Sequence, residues 1–371
     1  MTARRPLRLD RPGDPYPVLL RRGLLADAGP SLRRLWGVRE KTARRRVAVV
    51  THRKLARLYG GLLLASLRRA GFDAVTLYVP EGERHKNLET VLRLYDDLIR
   101  HRLRREDGLL ALGGGVVGDT AGFVAATYLR GIDYVQVPTS LIAQIDSALG
   151  GKVGVNHPRG KNLIGAVYRP RAVWIDPTVL KSLPPRQLRS GLFEMLKYGF
   201  IGVPSLFRQM ERSPKSFRPE AARLDRAIAV SVRLKLDVVR KDEYERGPRR
   251  ILNFGHTVGH GLEAAGDFRR LSHGEAVGWG MIAAARLARR HGFIHQGLLE
   301  RMEAAVRGIG PLPRLAGLRV SSVMEAIDRD KKIGARGLRF VLPTSLGQVQ
   351  VVEGLSRKEI RWAVRSLRIE E

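Results

Sequence analysis

Gly108-Leu109-Leu110-Ala111-Leu112-Gly113-Gly114-Gly115-Val116-Val117-Gly118-Asp119 is the stretch on which the fold turns. A short apolar run, bounded by glycine, has the length of a buried strand. It leads straight into three glycines, and a helical pattern opens directly behind them. Glycines at such a turn let the backbone approach a pyrophosphate, and the helix start supplies N–H donors. A tight turn without a ligand accounts for the same residues. The spacing is also not the G-x-G-x-x-G of the standard dinucleotide fold.

Outward from this unit the same alternation repeats. Val47–Val50, Ala74–Val79, Tyr134–Val137 and Ala172–Ile175 are further apolar or β-branched runs. Between them, residues 53–70 and 88–101 carry leucines at helical spacing. Strands alternating with helices predict a mostly parallel sheet. After residue 178 long helical periods take over: 185–199, 220–241, 250–265, 274–291, 295–308 and 319–329. One late β pair is expected, 338–342 with 348–352. The predicted fold is therefore an N-terminal Rossmann-like α/β domain, residues 1–178, followed by a mainly α-helical C-terminal domain, residues 179–371.

Composition bounds the function. With 371 residues, 44% of them hydrophobic and 28% charged, the chain has ordinary globular usage. It has no Cys, which excludes a disulfide scaffold and a Cys-ligated zinc or iron–sulfur centre. No run of about 18 uncharged apolar residues exists, so no membrane span is expected. The first residues carry Arg but no apolar segment behind it, and a cytoplasmic protein is the default. The formal net charge is +31, with 13 Lys and 54 Arg. The Arg residues are scattered and form no arm or stripe. They are read as compositional bias, with no specific nucleic-acid partner; no helix-turn-helix, RNA-binding or zinc-finger pattern is present.

That bias makes each retained Lys informative, because an amine and a guanidinium differ in size, acidity and geometry. The same holds for the four Asn: Asn87, Asn156, Asn162 and Asn253. The stretch Gly150-Gly151-Lys152 to Lys161-Asn162 holds two of the 13 Lys and two of the four Asn. It is read as a Gly-rich cationic loop suited to phosphate and hydroxyl groups. Glu194 and Lys197 lie at i and i+3, one helix face, a spacing an ordinary surface pair also has. Lys235 sits among apolar residues.

The strongest local signal is Asn253-Phe254-Gly255-His256-Thr257-Val258-Gly259-His260, two His at i and i+4 on one helix face. That arrangement suits a metal or acid–base chemistry. The glycines beside each His are expected to leave room for a ligand. His273 follows at the next helix start. With the Glu194 carboxylate, this set can form a zinc site with an open position for substrate.

Taken together, the Gly-rich turn, the Lys152–Asn162 loop, Gly191-Leu192-Phe193-Glu194-Met195-Leu196-Lys197-Tyr198-Gly199 and the three His resemble the 3-dehydroquinate synthases of the sugar-phosphate cyclase superfamily. The match runs in order and spacing from about residue 80 to 345. The resemblance implies a dehydroquinate synthase-like fold that binds NAD and one divalent metal, zinc with cobalt as the alternative. Glu194, His256 and His273 match the metal ligands, and His260 an active-site His that is not a ligand. Lys152, Asn162, Lys197, Lys235, Arg249, Asn253 and the Lys331–Lys332 pair match substrate positions. Glu81, Glu83, Lys86, Gly114, Gly115, Val116, Val117, Gly118, Asp119, Thr139, Ser140, Asp146, Lys152, Lys161 and Ser182 match the nucleotide side. Arg130 matches a position that reaches the neighbouring subunit's site, which implies a homodimer.

The implied reaction converts 3-deoxy-D-arabino-heptulosonate 7-phosphate to 3-dehydroquinate and phosphate. It proceeds by transient oxidation by NAD, phosphate β-elimination, re-reduction and aldol closure. Two rivals share parts of this pattern. A cyclase of secondary metabolism tends to lack Gly-Gly-Lys before the substrate loop, which is intact here. A metal-dependent alcohol or glycerol dehydrogenase has no need of Lys152, Asn162, Lys197 and Arg249 together. Ser140 and Ser182 stand where the family commonly has Thr, Val153 replaces a Thr, and Phe193 a smaller residue. A cost in affinity is expected of these departures.

Overall fold

The computed structural model describes residues 6–11, 14–37, 45–333 and 339–370, the side chains of 330–333 excepted. The chain divides into two compact units, Met1–Leu183 and Pro184–Glu371.

The first unit is built on β1 (Leu7–Arg8), β2 (Val18–Leu20), β3 (Arg46–Thr51), β4 (Asp73–Tyr78), β5 (Gly108–Gly113), β6 (Asp133–Pro138), β7 (Lys152–His157), β8 (Gly160–Val167) and β9 (Ala172–Ile175). Seven of these form one sheet in the order β1-β2-β9-β6-β5-β3-β4. Every neighbouring pair is parallel except β1–β2. The period of two decides which face each residue serves. Ala48, Val50, Leu109 and Ala111 enter a core with Val117, Ala121 and Val124 of helix Gly115–Thr127. Val47, Val49, Leu110 and Leu112 enter the opposite core with Leu24, Leu32, Leu63 and Leu67. Covering both faces is what lets these strands be continuous apolar runs.

The chain moves from β3 out to β4, then returns to place β5 on the other side of β3. The strand order thus reverses between β3 and β5, and the glycines close the C-terminal end of β5. In open α/β sheets that is where ligands bind.

Two parts of this unit differ from the sequence expectation. β2 and helix Ala28–Leu35 lie in a region whose pattern is weak, and β2 is recruited as a parallel neighbour of β9. The Lys152–Asn162 stretch is not a loop. It lies in an antiparallel hairpin of β7 and β8, paired from Lys152↔Val167 to His157↔Gly160. Val153 and Val155 are its buried face. A Cβ on Gly122 would lie 2.4 Å from Val153 Cγ1, so Val153 fills the space that glycine leaves on helix Gly115–Thr127. Val153 is therefore a core residue.

The second unit consists of helices Pro185–Ile201, Pro204–Arg212, Ala222–Lys241, His256–Ala265, His273–Arg290, Gln296–Gly308, Val320–Ile333 and Arg357–Arg365, with a hairpin of β10 (Arg339–Ser345) and β11 (Gln348–Glu353). Helix His273–Arg290 runs through its centre, buried from Gly274 to Ala285. The expected single helix over 250–265 is broken. A 3-10 helix covers Pro248–Asn253, and the α-helix begins at His256 after Gly255, whose φ is +79°. A Cβ at Gly255 would also lie 2.8 Å from Met281 Cγ, so both conformation and space demand glycine there. Among the described residues, no helix is long and apolar enough to cross a membrane.

Candidate active site

In the first unit, Gly114 is the N-cap of helix Gly115–Thr127. The first N–H groups of a helix have no partner within it and form the positive end of its dipole. A Cβ at Gly114 or Gly115 would meet side-chain atoms of two serines only, nearest Ser140 Oγ at 3.4 Å and Ser147 Oγ at 3.1 Å. The space in front of the helix start is thus hydroxyl-lined and kept open by missing side chains, which fits a pyrophosphate. Gly118 also serves packing. A Cβ there would sit 2.7 Å from Gln136 Oε1, so the glycine lets the helix press onto β6.

Around this turn a polar network centred on the buried Lys86 ties the hairpin in place. Lys86 is 4% exposed, and its Nζ donates to Asp119 Oδ2 and Asn162 Oδ1, both at 2.5 Å. Asn162 N–H donates to Asn156 Oδ1 at 2.9 Å, and Asn156 Nδ2 to Glu83 Oε1 at 2.8 Å. Burial pushes the Asp119 carboxyl up, and Lys86 pulls against it. Three of the scarce Lys and Asn residues thus meet in one cluster. Asn87, next to Lys86 in the chain, is an N-cap that accepts from Thr90 N–H at 3.0 Å.

The remaining nucleotide-side positions are placed as follows. Thr139 N–H donates to Gly113 O at 2.9 Å, and Ser140 Oγ accepts from Ala143 N–H. Asp146 lies in the π-turn Ala143–Ser147. Glu81 Oε1 is 3.1 Å from His52 Nδ1. Ser182 Oγ accepts from Tyr59 OH at 2.5 Å. Lys152 is exposed at the start of β7, and Lys161 is half-buried on β8. Arg130 is not among them. It precedes β6, at the N-terminal edge of the sheet, and is exposed; Leu129 and Arg130 have φ of 49° and 63°.

In the second unit three helices converge. Helix Pro185–Ile201 carries Glu194 and Lys197, helix His256–Ala265 carries His256 and His260, and His273 is the first residue of helix His273–Arg290. A capping box of Ser272 and Glu275 fixes that helix start. Close approach is what brings the three together. A Cβ on Gly280 would be 1.8 Å from Gly255 O, and one on Gly274 2.0 Å from Ser190 O. The glycines beside the His residues therefore do not open space for a ligand. Gly255 and Gly259 face helix His273–Arg290, and Gly261 faces Ile327. Phe193 is likewise absorbed by packing, with its ring edge 3.0 Å from where a Gly278 Cβ would stand.

Glu194 is fully buried. Neither of its oxygens receives a well-formed hydrogen bond. Facing them are Lys197 Nζ, 2.6 Å from Oε2, and Nε2 of His273 and His256, 3.4 and 3.7 Å from Oε1. The three candidate ligand atoms lie within 4.8 Å of one another. Two imidazole nitrogens and a carboxylate oxygen around unsatisfied acceptor atoms fit a divalent cation of borderline softness. Burial alone would raise the Glu194 carboxyl, but Lys197 and the two His hold it far below the usual range. Burial and the neighbouring Lys197 cation drive His256 down to about 3. Burial also opposes charging His273, yet the Glu194 and Glu263 carboxylates facing its two nitrogens lift it to about 10. His260 is exposed, its ring 5.3 Å from that of His256.

Lys235 and Arg249 are buried, 6% and 3% exposed. Arg249 donates to Glu243 O at 2.5 Å, and Asn253 Nδ2 to Glu245 Oε1 at 2.6 Å. The turn that presents them is organised by Asp242, which accepts from the N–H groups of Arg246, Gly247 and Arg249. Sequence reasoning missed Asp242 and Glu263. Each had a signal: an acid ahead of a Gly-Pro turn, and the lone acid of the His256–Ala265 helix. The side chains of Lys331 and Lys332 lie outside the described residues.

Solved structures place the arrangement in a class. The 2-epi-5-epi-valiolone synthase of Streptomyces hygroscopicus subsp. jinggangensis, solved with NAD+ and Zn2+ bound, aligns with a TM-score of 0.85 at 29% identity, over 95% of this chain and 96% of that one. A 2-deoxy-scyllo-inosose synthase, solved with carbaglucose-6-phosphate, NAD+ and Co2+, shares the fold at a TM-score of 0.84 and 24% identity, over 97% and 99% of the two chains. The molecule has the dehydroquinate synthase-like fold of these cyclases.

Sequence relationships narrow this further. Residues 76–190 match the 3-dehydroquinate synthase N-terminal family and residues 191–333 its C-terminal counterpart. The 3-dehydroquinate synthase of Synechococcus sp. is 44% identical over 360 residues, 96% of this chain and 97% of that one. The chain belongs to the 3-dehydroquinate synthase family.

Proposed function

We infer that this chain converts 3-deoxy-D-arabino-heptulosonate 7-phosphate to 3-dehydroquinate and phosphate, a carbon–oxygen lyase reaction of the shikimate pathway. The observation that carries this is the near-full-length relationship to a 3-dehydroquinate synthase at 44% identity.

The residue assignments are our reading. Glu194, His256 and His273 hold the divalent metal, zinc by preference and cobalt as the substitute. The open helix start at Gly114 to Asp119, with Glu81, Glu83, Lys86, Thr139, Ser140, Asp146, Lys152, Lys161 and Ser182, holds NAD. When bound, the metal supplies polarisation of a substrate hydroxyl, and NAD supplies hydride acceptance and return. Lys152, Asn162, Lys197, Lys235, Arg249, Asn253 and the Lys331–Lys332 pair bind the substrate's phosphate, carboxylate and hydroxyl groups. Cationic and amide donors there stabilise the charge that develops as phosphate leaves. His260, exposed beside the cluster, joins the Lys residues in stabilising charge at the substrate.

The same reading makes the protein a cytoplasmic homodimer in which Arg130 serves the neighbouring site. Two observations support it. Leu88, Leu92, Ile99 and Leu129 are exposed apolar residues. Leu129 and Arg130 hold left-handed backbone angles, a local cost that functional segments tolerate.

The test is purified protein with NAD, a divalent metal and the heptulosonate phosphate. Phosphate should appear without net NADH. Stoichiometric NADH from a simple alcohol, with no phosphate released, would instead make this a dehydrogenase.

A further inference from the structure

His273 has a second partner that the metal reading does not use. Its Nδ1 is 3.1 Å from Glu263 Oε2, while its Nε2 faces Glu194 from 3.4 Å. Glu263 is 5% exposed and follows His256 and His260 at i+7 and i+3, on one face of their helix. His256 is held in the same way, with its Nδ1 3.1 Å from Phe254 O. Both rings therefore turn Nε2 towards Glu194.

A second group complicates the picture. Ligand atoms of His260, Glu263 and His273 also lie within 4.8 Å of one another. The two groups share His273 but would use it differently, because its two nitrogens point to opposite carboxylates. A carboxylate can only accept here, so while Glu263 is bonded the Nδ1 keeps its hydrogen and Nε2 is left for a cation. A ligating imidazole whose other nitrogen donates to a carboxylate is fixed in ring orientation and made more basic.

We propose that Glu263 is the positioning residue that commits Nε2 of His273 to the Glu194 side and so selects where the metal is held. This rests on the metal reading above, and the experiment separates the two. Apo-protein is titrated with Zn2+ in competition with a chromophoric chelator, and Co2+ absorption reports the ligand field. Thermal unfolding of each apo variant checks that it is folded.

Wild type should bind one equivalent of Zn2+, and Glu194→Gln should all but abolish it. Glu263→Ala leaves every assigned ligand in place and should weaken Zn2+ about 10- to 100-fold, with an altered Co2+ spectrum. Glu263→Gln keeps the shape but can offer His273 an N–H instead of an acceptor; it should weaken Zn2+ about 10-fold. Wild-type affinity in both Glu263 variants would overturn the positioning role and leave the metal reading standing. If Glu263→Ala does not fold, wild-type affinity in Glu263→Gln alone overturns it. Loss of binding in Glu263→Ala with none in Glu194→Gln would make Glu263 a ligand and overturn it too. Failure of wild type to bind one Zn2+ would remove the metal reading itself.

Discussion

The two units build their candidate sites from different materials. In the N-terminal unit the site is mostly backbone, a helix start left bare by Gly114 and Gly115 and assembled within one strand–turn–helix. In the C-terminal unit it is mostly buried charge, contributed by three helices from positions as far apart as Glu194 and His273. A backbone site adds little desolvation cost, since its N–H groups are the helix's own. A buried carboxylate is tolerated only while its counter-charges stay in place. The contrast says where each unit is fragile.

The harshest test removes Lys197, the nearest counter-charge of Glu194. Lys197→Met should destabilise the metal-free protein by about 3–5 kcal/mol, read by urea unfolding. Added Zn2+ should restore part of that. A loss no larger than that of an ordinary surface mutation would break the comparison, because Glu194 would not then depend on its neighbours.

Glycine separates the units next. Gly280→Ala drives a Cβ to 1.8 Å from Gly255 O and should cost about 3 kcal/mol. Gly115→Ala meets only the tip of Ser147 and should change stability by under about 1 kcal/mol. It should nevertheless weaken NAD+ binding at least tenfold, measured by calorimetry. Equal stability losses in the two variants would mean that Gly115 is a packing glycine after all.

The smallest effect concerns Asp242. Its backbone N–H partners outweigh desolvation and lower its pKa from 3.8. A lowered folded-state value means stabilisation present above the unfolded value and lost as pH falls through the folded one. Asp242→Asn should therefore be less stable than wild type near neutral pH, and the gap should close in acid. A gap that stays constant with pH would show that the charge contributes nothing.

Legibility followed the same division. The glycine turn was readable because its parts are contiguous: a strand, three glycines and a helix start all fall within 108–119. The helical face of His256 and His260 was readable from spacing alone. The break at Gly255 was not, because an apolar helical pattern says nothing about a left-handed residue. The inward turn of Val153 has no local signature, and being the lone acid of its helix does not say which ring Glu263 faces; both depend on what lies opposite.

By itself, the sequence determined five of the seven strands of the main sheet, the glycine turn, most of the helices and the clustering of scarce Lys and Asn residues. All of these are short-range periodicities or compositions, and local sterics enforce them. Only the tertiary structure decided that the Lys152–Asn162 stretch is a hairpin with Val153 inward. It alone showed that the glycines beside His256 and His260 serve helix contacts, and that His273 lies between two carboxylates. Those outcomes are set by atoms far apart in the chain, where a gap of one side chain decides what fits.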